Sequence, residues 1–217
     1  MEFLASMVDV FLHLDVYMAD IIQQYGTLTY VILFVVIFCE TGLVVTPFLP
    51  GDSLIFAAGT FAAIAASNLS VGLLFVILST AAVLGSACNF WIGKKLGDKA
   101  ERGEIRFIKK QYIEKTHKFF EKHGGKTIFL ARYVPIIRTF VPFVAGAGQM
   151  SNKYFLSYNF FGGITWVGIF LALGYFFGNI PFVKSNFELV IIAIIFVSFL
   201  PAVIEWIRHK SSAKKAV

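Results

Sequence analysis

Three apolar runs, residues 69–91, 154–178 and 187–207, restrict this chain more than any other feature. Each approaches or exceeds the roughly 20 residues that a helix needs to cross a hydrocarbon core. None contains a Lys or Arg. Composition agrees, with 58% of the 217 residues hydrophobic and 15% charged. A soluble domain is about 45–50% apolar and roughly 25% charged. The fold class expected is an all-α integral membrane protein, built as one membrane domain over residues 1–217.

Two other apolar stretches, 27–67 and 126–150, are not simple spans. The first holds Glu40 and then "TPFLPGD"; the second is "KTIFLARYVPIIRTFVPFVAGAGQM". Prolines near the middle interrupt each as a helix, and each half is too short to cross alone. They align loosely: Glu40, Pro47, Pro50 and "AAG" ending at Gly59, against Arg132, Pro135, Arg138, Pro142 and "VAG" ending at Gly146. Each is followed closely by a span. The pattern predicts two re-entrant helical hairpins of opposite orientation, each followed by a transmembrane helix, as an inverted repeat. Helix starts are expected near Pro135 and Pro142.

Cations set the topology. Residues 1–93 contain no Lys or Arg, and eleven of the nineteen lie from Lys94 to Lys126. Cytoplasmic loops collect such residues, so the basic amphipathic segment 94–125 and the tail 208–217 are expected inside the cell. The net charge of +6 then reads as a topology signal with some attraction to anionic head groups. Nucleic-acid binding is not expected, because the cations sit beside membrane segments. Residues 1–26 lack the basic start of a signal peptide and carry Asp9, His13, Asp20 and Gln24 largely on one helical face, which predicts an amphipathic interfacial helix on the outer side. Cys39 and Cys88 read as buried thiols rather than a disulfide or metal site. No cofactor or metal is expected.

Glu40, Asp52, Arg132 and Arg138 remain. An ionisable group at the bilayer centre costs roughly 2.5–3.5 kcal/mol, so four of them must meet one another or water. Facing hairpins would let the acids of the first pair with the arginines of the second. Structural salt bridges, or snorkelling of Arg138 to the surface, are the plainer alternatives.

These residues also carry a resemblance. "FCETGLVVTPFLPGDSLIFAAG", "KHGGKTIFLARYVPIIRTFVPFVAGAGQMS" and "GYFFGNIP" resemble the DedA family over nearly the whole chain. Gly146, Met150 and Phe155 fit a family-like spacing. The resemblance implies a bacterial inner-membrane protein with two re-entrant hairpins that translocates undecaprenyl phosphate for carrier recycling. It also implies links to proton-dependent transport and membrane potential, and to relatives that move phospholipids. The family's essential acids fall on Glu40 and Asp52, and its arginine pair on Arg132 and Arg138.

The chemistry suits that substrate. A phosphate monoester carries about −1.5 to −2 charges, and guanidinium forks bind phosphate oxygens bidentately. Arg132 and Arg138 are therefore the expected substrate-binding residues, with Glu40 and Asp52 pairing them or carrying protons as the coupling ion. Expected partners are undecaprenyl phosphate or another anionic lipid and membrane phospholipids; a homo-oligomer is compatible with this reading. A proton-coupled exporter of small cations or drugs, or a phospholipid scramblase, is the alternative. An enzyme is not expected, since the hairpins hold no histidine. In the predicted spans, Asn89, Asn159, Trp166 and Tyr175 are expected mainly to bond neighbouring helices or anchor at the interface.

Overall fold

A computed structural model describes residues 14–43, 51–64, 67–101, 124–194 and 196. Most of these residues are helical, with no strand among them. Helix α1 spans Leu14–Tyr25, and a single 3₁₀ turn, Gly26–Leu28, joins it to α2, Thr29–Gly42. Then come α3 (Gly51–Ala62), α4 (Val71–Glu101), α5 (Lys126–Ala131), α6 (Pro135–Ala147), α7 (Asn152–Phe177) and α8 (Pro181–Ser185). Residues 187–194 are helical as well.

Val16–Gly42, Val71–Gly97 and Asn152–Phe177 are long and apolar enough to cross a membrane. Large apolar side chains are left exposed, among them Phe161, Phe176 and Phe182, the last two at 70%. A surface of this kind belongs against lipid, and the chain is a membrane protein.

The expected spans need some revision. Helix α7 nearly coincides with the predicted 154–178 run, and the Ser151 side chain caps its start. Helix α4 runs on past Trp91 to Glu101 as one 31-residue helix. No helix stop separates Trp91 from Lys94, so the start of the expected 94–125 segment extends the span itself. The bulk of that segment, the tail, and most of the 187–207 run lie outside the described residues. So do Asp9 and His13 of the predicted N-terminal helix. The Val16–Gly42 path is bent: Gly26 has φ +51°, and the Thr29 hydroxyl donates to the Ile21 carbonyl at 3.4 Å. Eight residues of straight helix would hold those groups about 12 Å apart. Both cysteines are half-buried, and neither forms a disulfide.

Packing directions follow from the contacts. Helix α7 runs against α4 in the opposite sense: Phe90 stacks on Phe155 with centroids 4.1 Å apart, Asn159 Nδ2 donates to the Val83 carbonyl at 3.0 Å, and Gly168 faces Phe75. Helix α2 runs with α4, since the Ser70 N–H donates to Tyr30 Oη at 2.7 Å and Gly42 meets Gly85. Helix α6 continues along α4 beyond it, with Thr139 at Asn89, Phe143 at Gly93 and Ala147 at Gly97. On α7 the order is α5 and then α3. Gly125 meets Tyr158 and Phe129 meets Gly162, whereas Asp52 meets Trp166 and Phe56 meets Gly174. Hence α2 and α3 run in opposite directions, and so do α5 and α6.

One register recurs in both halves. Gly59 lies on the Leu171 carbonyl and Tyr175 nitrogen; Gly146 lies on the Phe90 carbonyl and Lys94 nitrogen. Phe56, three residues before Gly59, covers Gly174, while Phe143, three before Gly146, covers Gly93. Each crossing needs glycine because the partner backbone occupies the Cβ position. The crossings use F-x-A-G on one helix and G-x-x-x-G on the other, Gly93 with Gly97 and Gly174 with Gly178, the small-residue pattern that lets membrane helices approach closely.

Candidate functional site

The four helix ends nearest the middle of the bundle converge between α4 and α7. Each contributes one of the four predicted charges. Glu40 lies near the end of α2, Asp52 in the first turn of α3, Arg132 at the C-cap of α5 and Arg138 just past the first turn of α6. All four are buried. Val134 is extended, as a residue before proline prefers, and Pro135 opens α6; this break positions both arginines. Pro142, expected at a helix start, instead sits inside α6. The helix tolerates the lost N–H because neighbouring helices support it.

Helix dipoles treat the four unequally. Asp52 at a helix N-terminus and Arg132 at a C-terminus are favoured, whereas Glu40 and Arg138 sit at ends of the wrong sign. The disfavoured two pair directly. Arg138 Nη2 donates to Glu40 Oε1 and Arg138 Nη1 to Asp52 Oδ1, so one guanidinium from the second broken stretch clamps both acids of the first. Snorkelling of Arg138 is thereby replaced by a buried ion pair, since two carboxylates within the protein offer more than the distant surface.

Arg132 differs from the expected pairing. Among the described residues it forms no ion pair. Its Nη2 donates to the Ala82 carbonyl at 3.0 Å, Ser86 Oγ at 2.7 Å and Asn159 Oδ1 at 3.0 Å. With the Asn159 carbonyl, 3.5 Å from Nη1, four neutral acceptors from α4 and α7 hold this cation. The acid–Arg138 cluster therefore has net charge −1, Arg132 has +1, and the centre as a whole is neutral when ionised.

Trp166 joins the two parts. Its Nε1 donates to Asp52 Oδ1 at 2.8 Å. Arg138 Cζ lies 4.7 Å from the indole centroid, and Arg132 Cζ lies 6.0 Å from it. Asn89 fixes the meeting of helix ends on α4, donating to the Thr139 carbonyl at 2.6 Å and facing the Thr41 carbonyl at 3.5 Å. Those carbonyls adjoin Arg138 and Glu40 in sequence. Asn89 thus does the helix-bonding expected of it, whereas Trp166 and Asn159 enter the charged centre. Tyr175 lies away from it, stacked edge-on to Phe176.

Two glycines make room for the charges, a role the sequence did not reveal. A side chain at Gly51 would overlap the Glu40 carboxylate, and one at Gly163 would overlap Arg132 Nη1 and press Val83. Both neighbours are pinned, so neither can yield cheaply. Gly163→Ala is expected to cost about 1–3 kcal/mol, read as a lower thermal midpoint in detergent; an unchanged midpoint would contradict the geometry.

Comparisons with known proteins identify the family. A model of the VTT domain matches residues 49–176, the stretch from just before α3 through α7. Across its full length the chain is 50% identical to Protein DedA of Escherichia coli K12, covering 99% of that protein. The chain belongs to the DedA family of VTT-domain membrane proteins. It is also 43% identical over 186 residues to the uncharacterized membrane protein Rv0364 of Mycobacterium tuberculosis H37Rv, covering 85% of this chain and 81% of that one. Inner membrane protein YqjA of E. coli K12 is 33% identical over 162 residues, covering 74% and 73%. No solved structure matches.

Proposed function

We propose that this DedA-family chain is a lipid transporter of the bacterial inner membrane that moves undecaprenyl phosphate between leaflets for carrier recycling, using the buried four-charge centre and coupled to protons. The observation that carries the reading is the Arg138 clamp: a buried guanidinium held by two acids from another part of the chain, beside a second buried arginine with no ion pair among the described residues. On this reading α2–α3 and α5–α6 are two re-entrant hairpins entering from opposite sides, and the recurring glycine register is the trace of an inverted repeat. A hydrophilic path opened where the hairpin ends meet would pass the head group while the polyprenyl tail stays in lipid.

Charge counting supplies the coupling. The empty ionised centre is neutral, so an entering phosphate leaves it negative unless protons accompany it. Glu40 Oε2 is buried and lacks a hydrogen-bond partner among the described residues, so it can take a proton without breaking a bond. Protonation weakens the grip on Arg138 and frees its fork for phosphate oxygens. A head group bearing about 1.5–2 charges then travels with one to two protons, close to electroneutral.

The experiment is transport in proteoliposomes. A fluorescent polyprenyl phosphate is expected to change leaflet faster with protein than without, to speed up under a pH gradient, and to respond little to a valinomycin-set potential. Movement of a cationic dye with no movement of the lipid phosphate would sink the proposal and favour a cation exporter.

A further inference from the structure

The scheme above employs four charged side chains and leaves Trp166 without a part. Its indole is completely buried on α7 at the level where the helix ends converge, and it reaches three of the four charges. The N–H is bonded to Asp52, and the ring lies 4.7 Å from the Arg138 guanidinium carbon and 6.0 Å from that of Arg132. A residue that only filled space would need neither contact; leucine or phenylalanine packs a membrane helix without binding a carboxylate.

The two ends of the indole act in opposite senses. Asp52 Oδ1 accepts from both Trp166 Nε1 and Arg138 Nη1. The indole donor fixes the carboxylate where it occupies Arg138, which opposes release of that arginine to a ligand. The ring face does the reverse. A guanidinium stacked on an aromatic face keeps its in-plane N–H groups available for an anion, and one ring serves both arginines here.

We infer that Trp166 is a positioning residue with two separable parts: an N–H that latches Asp52 onto Arg138 in the empty protein, and a ring face that presents Arg138 and Arg132 to a phosphate-bearing ligand. This rests on the transporter reading above.

The signs of two substitutions distinguish the parts. Trp166→Phe keeps a ring and loses the donor; Trp166→Leu loses both. With the full chain in detergent and radiolabelled farnesyl phosphate as probe, Trp166→Phe is expected to bind about tenfold tighter, the worth of one charge-assisted hydrogen bond, and Trp166→Leu to bind more weakly than the parent. A merely space-filling tryptophan would weaken both in step with lost thermal stability, and that result overturns the inference. A second readout needs no change at the site. In a Trp91→Phe/Trp206→Phe background Trp166 is the sole tryptophan, and its selectively excited emission is expected to shift with farnesyl phosphate and not with farnesol. Inorganic phosphate sorts the source: a response to it as well marks a general phosphate site, while a response to the tailed probe alone marks a lipid head group, and either supports the inference. Binding without any change in Trp166 emission overturns this inference alone. A parent protein that binds neither phosphate probe overturns the transporter reading and this inference with it.

Discussion

Arg138→Ala is expected to lower stability by about 3–5 kcal/mol, because it strips two buried carboxylates of the guanidinium that clamps them. Glu40 suffers most, being fully buried at the dipole end that disfavours an anion. The rest of the penalty falls on Asp52, which loses the Arg138 guanidinium and keeps the Trp166 donor. The effect should be conditional. Neutralising the acids together, as Glu40→Gln/Asp52→Asn/Arg138→Met, removes the stranded charge and is expected to recover most of the loss, since buried ion pairs contribute little net stability compared with well-packed neutral groups. The triple variant would nevertheless not transport. Thermal unfolding in detergent, with size-exclusion profiles before heating, checks both statements. A single variant as stable as the parent would show that Arg138 does not neutralise these acids.

A comparable loss is expected at a pair of sites away from the four-charge centre. A methyl group at Gly174 would overlap the Phe56 carbonyl oxygen, and one at Gly146 would overlap the Phe90 carbonyl oxygen. Overpacking costs about 1–3 kcal/mol when side chains can adjust. Here the obstacle is helix backbone, so the cost should reach or pass the upper value. Because the two crossings share one register, Gly174→Ala and Gly146→Ala should be damaged to a similar degree. Gly72→Ala is the control: its nearest neighbour, Ser70 Oγ, is 3.9 Å away, and alanine there should be neutral or slightly stabilising. If one crossing tolerated alanine and the other did not, the two halves would not be equivalent.

Some of this was legible before the structure. Long runs of aliphatic and aromatic residues without cations are a sufficient signal for a span, so 69–91 and 154–178 correspond to α4 and α7. Pro135 marked a helix start, whereas Pro142 fell inside α6, and the rarity of charge in apolar sequence singled out Glu40, Asp52, Arg132 and Arg138. Pairing was less visible. Electrostatics alone offers two arginines to two acids, but it cannot weigh the neutral cage of the Ala82 carbonyl, Ser86 and Asn159 against a carboxylate. A serine and an asparagine on two distant helices give no local pattern that announces such a cage. Trp166 was hidden for a related reason, since a tryptophan in a span is usually lipid-facing or packing. The glycine register was present in the letters, as F-x-A-G and G-x-x-x-G repeated in each half, but its meaning depends on which helix crosses which.

The central claim is that the buried arginines bind an anionic lipid head as it passes between leaflets. Leaflet-resolved flipping of polyprenyl phosphate by reconstituted Arg132→Ala protein tests it most directly, because Arg132 has no acid partner among the described residues and its loss strands no carboxylate of its own. The account predicts a folded protein that flips the lipid no faster than protein-free liposomes; flipping at the parent rate would contradict it.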